Sequence, residues 1–154
     1  MASSNMVARS HSALALYTEV CRPVCTQLGL GQTAFDILLL LGTHPELRTA
    51  RDVVQTGGIK KNLVSMNVEK LAEQGYLERK PIPGDRRQVR LVLTAKAAPV
   101  VDMGLRVQEY YYNALIQGLT EEELAVYRRC SDAIARNMDR LARLLQQDQN
   151  STPY

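Results

Sequence analysis

Residues 59–94 read IKKNLVSMNVEKLAEQGYLERKPIPGDRRQVRLVLT. Two periodicities meet in this stretch. Up to Gln74, Leu63, Val64, Val68 and Leu71 share one face of a 3.6-residue helix, and Gly75 stands where a left-handed C-terminal residue is wanted. Beyond Gly75, Tyr76–Lys80 and Gln88–Leu93 read as two strands, the second turning Val89, Leu91 and Leu93 inward. Pro81, Pro83 and Gly84 break the chain between them, and Asp85-Arg86-Arg87 follow at the bend. A helix therefore runs straight into a hairpin with a cationic tip.

The segments on either side extend this unit. Thr49-Ala50-Arg51-Asp52 has a capping-box arrangement, with Thr49 as N-cap. The helix it opens must be short, because Gly57-Gly58 follow. Two helices joined by a glycine turn, the second about twice as long, outline a helix-turn-helix, with a recognition helix at about 59–74 and a wing at about 76–93. Thr33–Gly42 reads as a buried helix and Ser12–Leu28 as an amphipathic one, which Pro23 should kink or divide. Thr94 is expected to stop the hairpin and cap a helix from Ala95 to roughly Gln117, with Pro99 distorting its start. Thr120 and three glutamates open a last helix. Along it Leu124, Tyr127, Ser131, Ile134, Met138, Leu141 and Leu145 alternate by three and four, a coiled-coil seam. The same helix of a second copy is the economical partner for that seam; packing on the chain's own first helix is the alternative. The expected fold is mainly α with a small β-hairpin. A winged helix-turn-helix over residues 31–94 is flanked by dimerisation helices at 8–30 and 95–147, and residues 1–7 and 148–154 are flexible tails.

Composition is consistent with one domain carrying long helices. Of the 154 residues 45% are hydrophobic, enough for a real core. The longest apolar run, Ile37–Leu41, falls far short of a membrane span, and no secretory signal is visible. Three cysteines without a framework pattern point to a reducing, cytoplasmic setting. The net charge of +3 is unevenly distributed. Residues 48–96 hold eleven basic and five acidic side chains, or +6, while the rest of the chain carries −3. A basic middle between acidic ends is the pattern of a polyanion-binding module, although a solvated Lys/Arg helix face would leave the same imprint.

The order of helices, hairpin and flanking amphipathic segments resembles the multiple-antibiotic-resistance regulator (MarR) family of winged helix-turn-helix transcription factors, from about Leu14 to Leu145. NVEKLAEQGYLERKPIPGDRRQVRLVLT (Asn67–Thr94) is the most specific part, with the wing tip Asp85-x-Arg87 and the closing Leu93-Thr94. LGLGQTAFDILLLLGTHPEL (Leu28–Leu47) is similar to the family's second helix and LTEEELAVYRRCSDAI (Leu119–Ile134) to its C-terminal dimerising helix. Met66 stands where members often carry arginine, Asn62-Leu63 where a small Ser/Thr pair is common, and Lys96-Ala97 where Lys-Gly is usual. The resemblance implies a homodimeric DNA-binding regulator, expected to be a repressor that a small aromatic or phenolic effector releases from a pseudo-palindromic operator. ALALYTEVCRP (Ala13–Pro23) is similar to the first helix of the organic-peroxide-sensing branch. Ala13 occupies the place of that branch's reactive cysteine, so its thiol chemistry is absent.

A recognition helix presents its N-terminal residues to base edges, here Lys60, Lys61, Asn62, Ser65 and Met66. Lysine can donate to guanine, asparagine can pair with adenine, and Met66 can meet a thymine methyl; pure phosphate contact is the competing role for Lys60 and Lys61. Arg86 or Arg87 is expected to enter the minor groove, with Arg90 along the same wing, and Asp85 to shape the loop by pairing with an arginine. Leu16, Tyr17, Leu124, Tyr127, Ile134, Met138 and Leu141 are expected at the dimer interface. Tyr110 and Tyr111 are candidates for an effector pocket, with simple packing as the alternative. Cys21 and Cys25, one helical turn apart, admit a redox- or metal-responsive reading or a buried structural one, and Cys130 invites only the latter. His11 and His44 show no ligand spacing, so neither metal nor cofactor is expected. Gly29-x-Gly31 and Gly57-Gly58 are too sparse for a phosphate cradle, and no nucleophile–base spacing suggests an enzyme. A winged-helix module that docks protein is the remaining alternative. The expected partners are therefore double-stranded DNA, a second copy of the chain and a small effector, with no membrane.

Overall fold

The computed structural model describes the backbone of residues 2–150 and the side chains of residues 8–84 and 88–145. Its elements in order are α1 (Ala2–Leu28), α2 (Gln32–Thr43), α3 (Ala50–Gly57), α4 (Lys61–Glu73), β1 (Leu77–Ile82), β2 (Asp85–Leu93), a 3-10 turn (Ala95–Ala97), α5 (Ala98–Ile116) and α6 (Glu121–Asn150). They divide into two compact units, one ending at Tyr112 and one beginning at Asn113.

The first unit is built around α2. Its Phe35, Ile37 and Leu38 have no solvent exposure and meet Cys21 of α1, Val53 of α3, Val64 and Leu71 of α4 and Val100 of α5 in one core. α1 neither ends at Pro23 nor divides there. Burial of Cys21 and Cys25 on either side holds it against α2 through the hydrogen bond that proline cannot donate. Helical backbone also begins at Ala2 and runs to Asn150, so it enters both stretches read as tails; neither contains a glycine or proline before Pro23 or Pro153. Close approach of α2 and α5 depends on two glycines. A Cβ on Gly42 would lie 2.6 Å from a Val101 methyl, and one on Gly104 would lie 2.7 Å from a Leu39 methyl.

The caps match their sequence signals. The Thr49 hydroxyl accepts from Asp52 N–H at 3.2 Å, and the Asp52 carboxylate accepts from Thr49 N–H at 2.8 Å and Arg48 N–H at 2.9 Å. α4 ends with Tyr76 N–H donating to Leu71 O at 2.9 Å and Gly75 N–H to Ala72 O at 3.0 Å, a Schellman closure that Gly75 permits with φ 74°.

The hairpin differs from expectation in its turn. Only Pro83-Gly84 separate the strands, which pair antiparallel from Leu77↔Leu93 to Pro81↔Val89 and then jump to Ile82↔Asp85. The register shifts between Pro81 and Ile82, a bulge that displaces the two arginine positions from the regular ladder. Thr94 ends the strand and takes the N-cap position of the 3-10 turn, but its side chain makes no cap bond. Its hydroxyl donates to Gly75 O at 2.7 Å, and its N–H donates to Tyr76 O at 3.0 Å, fastening the hairpin root to the end of α4. Lys96 adds a bond to Gln74 O at 2.7 Å and lies 4.5 Å above the Tyr76 ring. A backbone bond of 2.7 Å from Leu91 N–H to Arg48 O joins β2 to the segment before α3. Wing and recognition helix are therefore held in one fixed relation.

In the second unit Thr120 and Glu123 form another capping box, with bonds of 2.8 and 3.2 Å, and α6 follows. Leu124 is buried, whereas Tyr127, Ile134, Met138, Leu141 and Leu145 are exposed along the helix, Met138 to 65%. No single helix among the described residues is long and apolar enough to cross a membrane.

Candidate nucleic-acid interface

α4 sorts its residues sharply. Val64, Val68 and Leu71 are buried on one side, while Lys61, Asn62, Ser65 and Met66 are exposed on the other, and Lys60 is exposed as the N-cap residue. The structure thus brings together all five positions expected to read bases. Glu69 is exposed on the same side, one turn beyond Ser65. Lys70 is exposed beside it, one turn beyond Met66.

The wing adds cations around this face. Lys80 and Arg90 sit directly opposite each other across the ladder and are both exposed. Like charges so paired are unfavourable in a hairpin on its own. Glu78 compensates in part through an ion pair of 2.9 Å with Lys80. The expectations placed on Asp85, Arg86 and Arg87 lie outside the described side chains.

Two arginines that sequence reasoning missed join the same surface. Arg51 in the first turn of α3 and Arg79 of β1 line a cleft of about 280 Å³ with Thr49, Val68, Gln88 and Leu91. Arg51 and Lys61 also flank an apolar cleft of about 350 Å³ between α3 and α4. The available signal was positional, because both arginines are exposed cations on elements that immediately precede or follow the recognition helix.

The tyrosines divide between solvent and packing. Tyr110 is 66% exposed, and Tyr111 is committed to packing, its hydroxyl donating to Ala13 O at 2.6 Å. Tyr17, expected at a dimer interface, turns inside the first unit with its ring centroid 5.4 Å from that of Tyr111. Leu16 is exposed on the other side of α1. Tyr17 helps to line a cavity of about 420 Å³ together with Asp36, His44, Gln108 and the apolar Leu39, Leu40, Ile59 and Leu105. A lone acid inside the apolar run of α2, AFDILLLL, was the sequence signal for this site.

Burial raises the pKa of Asp36 and of the ionisable groups beside it. Gln32 donates to its Oδ1 at 2.8 Å, yet burial raises the carboxyl's pKa. Burial also pushes the Tyr17 hydroxyl up, and Cys21 and Asp36 reinforce the shift. Burial raises the Cys21 thiol, and raises Cys25 to about 11 with help from Cys21 and Asp36. Cys25 donates to Gln32 Oε1 at 3.7 Å. Thiols kept protonated and buried are poor nucleophiles and poor metal ligands, and both cysteines belong to the core cluster. Cys130 is exposed rather than packed against a seam within its own unit.

Residues 28–88 match a family model described as MarR family. No curated protein sequence matches the chain. Among solved structures, transcriptional regulator PA3341 is 25% identical, with 91% of this chain and 99% of that one covered at a TM-score of 0.75. A MarR family transcriptional regulator from Listeria monocytogenes, complexed with 26mer DNA, is 18% identical over 96% of this chain and 97% of its own, at a TM-score of 0.78. BpsR of Bordetella bronchiseptica, whose DNA binding is regulated by 6-hydroxynicotinic acid, is 19% identical over 88% and 99%, at 0.67. Helix order, wing and helix-turn-helix agree with these matches: the fold is that of the MarR-type winged helix-turn-helix structures, and residues 28–88 are similar to the MarR family of transcription regulators.

Proposed function

We propose that the protein is a homodimeric repressor that reads a pseudo-palindromic operator through α4 and releases it when a small molecule fills the cavity beside Tyr17 and Asp36. The observation that carries the DNA reading is the exposed face of Lys60, Lys61, Asn62, Ser65 and Met66, flanked by Arg51, Arg79 and Arg90. Asn62 and the lysines have donors for base edges, and the flanking arginines match phosphates. The Listeria monocytogenes structure with DNA supports this use of the fold. The exposed apolar stripe of α6 supports a second copy as partner, since a helix so patterned gains by burying its seam. Two copies would set two α4 helices about one DNA turn apart.

The cavity supports release by a ligand because it touches α1, α2, the end of α3 and α5, so filling it bears on the seat of the helix-turn-helix. BpsR, with its small regulating acid, supports such control. Selection of bound duplexes from a random pool, followed by mobility shifts at rising salt, tests the proposal. A two-fold-symmetric consensus with steep salt dependence is expected. Indifference to every duplex at modest ionic strength would refute it.

A further inference from the structure

The effector cavity has an electrostatic character of its own. Among its described lining residues the only permanent charge is the Asp36 carboxylate; no lysine or arginine is present. No cation pairs with Asp36 among the described residues either, and Gln32 supplies the neutral bond to one of its oxygens. The remaining polar lining is neutral or already engaged. Tyr17 is held un-ionised by burial, and Gln108 offers an amide. His44 Nδ1 lies 3.2 Å from Leu40 O and 2.9 Å from the Thr43 hydroxyl, which leaves one ring nitrogen for a ligand. Leu39, Leu40, Ile59 and Leu105 make the walls apolar. At about 420 Å³ the space suits a ligand of one or two rings.

We infer that this cavity selects a compact aromatic cation, an amine or amidine on an apolar ring, and disfavours an aromatic carboxylate of the same shape. A carboxylate brought into a cavity whose fixed charge is negative loses hydration and gains a like-charged neighbour. An ammonium loses hydration too, but it recovers an ion pair with a carboxylate that lacks one, and its ring buries against the leucines. The burial that makes Asp36 hard to ionise alone would reward a cationic partner.

This inference rests on the proposed use of the cavity as an effector site, and its test separates the two. Calorimetric titration of the full chain with matched pairs, benzylamine against benzoate and naphthylmethylamine against naphthoate, reads the preference directly. Each amine is expected to bind at least about ten-fold more tightly than its carboxylate partner. In Asp36→Asn the margin should shrink to within about two-fold, with circular-dichroism melting to establish that the variant folds. Equal or tighter carboxylate binding, binding of neither member, or an undiminished margin in folded Asp36→Asn would overturn the inference. The unmodified protein decides the case by itself if that variant does not fold. Mobility shifts without ligand form the separate arm: DNA binding with a carboxylate preference removes only the ligand class, whereas failure to bind any duplex removes the proposed function.

Discussion

Thr49 and Asp52 show how much a single cap carries. Thr49 is buried, and its hydroxyl satisfies an end of α3 that lies beneath the wing. Thr49→Ala should cost about 1 kcal/mol, read from urea denaturation. Burial alone would raise the Asp52 carboxyl, but the Arg48 and Thr49 N–H groups outweigh it, and its pKa lies below the ordinary value. Its folded pKa is depressed, so its stabilisation is present above the unfolded value of about 3.9 and is lost as pH falls through the folded one. Asp36 has the opposite sign. Its folded pKa is raised, so stability declines as pH climbs from the unfolded value through the folded one. Asp36→Asn is therefore expected to raise the melting temperature at neutral pH and to flatten that decline. An unchanged or lowered melting temperature would contradict the unfavourable charge assigned to it. A residue kept despite such a cost is the kind found at ligand sites.

At the scale of elements, α4 and the hairpin have separable tasks. Asn62→Ala should relax base preference at one operator position, costing about 1–3 kcal/mol against the preferred base only. Arg51→Ala and Arg79→Ala should each weaken binding to all sequences alike and lower the salt slope by about 1. Arg86→Ala with Arg87→Ala should likewise reduce affinity for every duplex; unchanged affinity in that pair would refute a DNA-contacting wing. Recognition-helix candidates were legible because one face of α4 is apolar, which leaves the other for a partner. Arg51 and Arg79 were not, because their nearness depends on how the hairpin packs beside α3. The turn was misjudged for a related reason: proline and glycine mark where a chain bends, but pairing energy along the strands determines how far the ladder extends.

For the molecule as a whole, the stripe on α6 is the feature that a single chain leaves open. Replacing Met138 and Leu141 together by glutamate should yield monomers in sedimentation and abolish binding to a two-site operator, while a single half-site is still bound weakly. Within the first unit α2 and α5 approach closely at Gly42. Gly42→Ala, pressed against the stiff β-branched Val101, should lower stability by about 1 kcal/mol despite the gain in helix propensity.

Helices, caps, the hairpin and the basic reading face follow from local rules, since periodicity, capping residues and glycine act over a few neighbours along the chain. The run AFDILLLL already required Asp36 to lie in an apolar setting, and the 3-4 spacing already marked α6 for a partner. Folding alone decided that Tyr17 would turn inward to meet Tyr111, that Tyr110 would face solvent, and that Asp36 would end beside His44 and Gln108. Those outcomes depend on contacts between residues tens of positions apart, where packing selects one of several faces that the helix pattern leaves equally available.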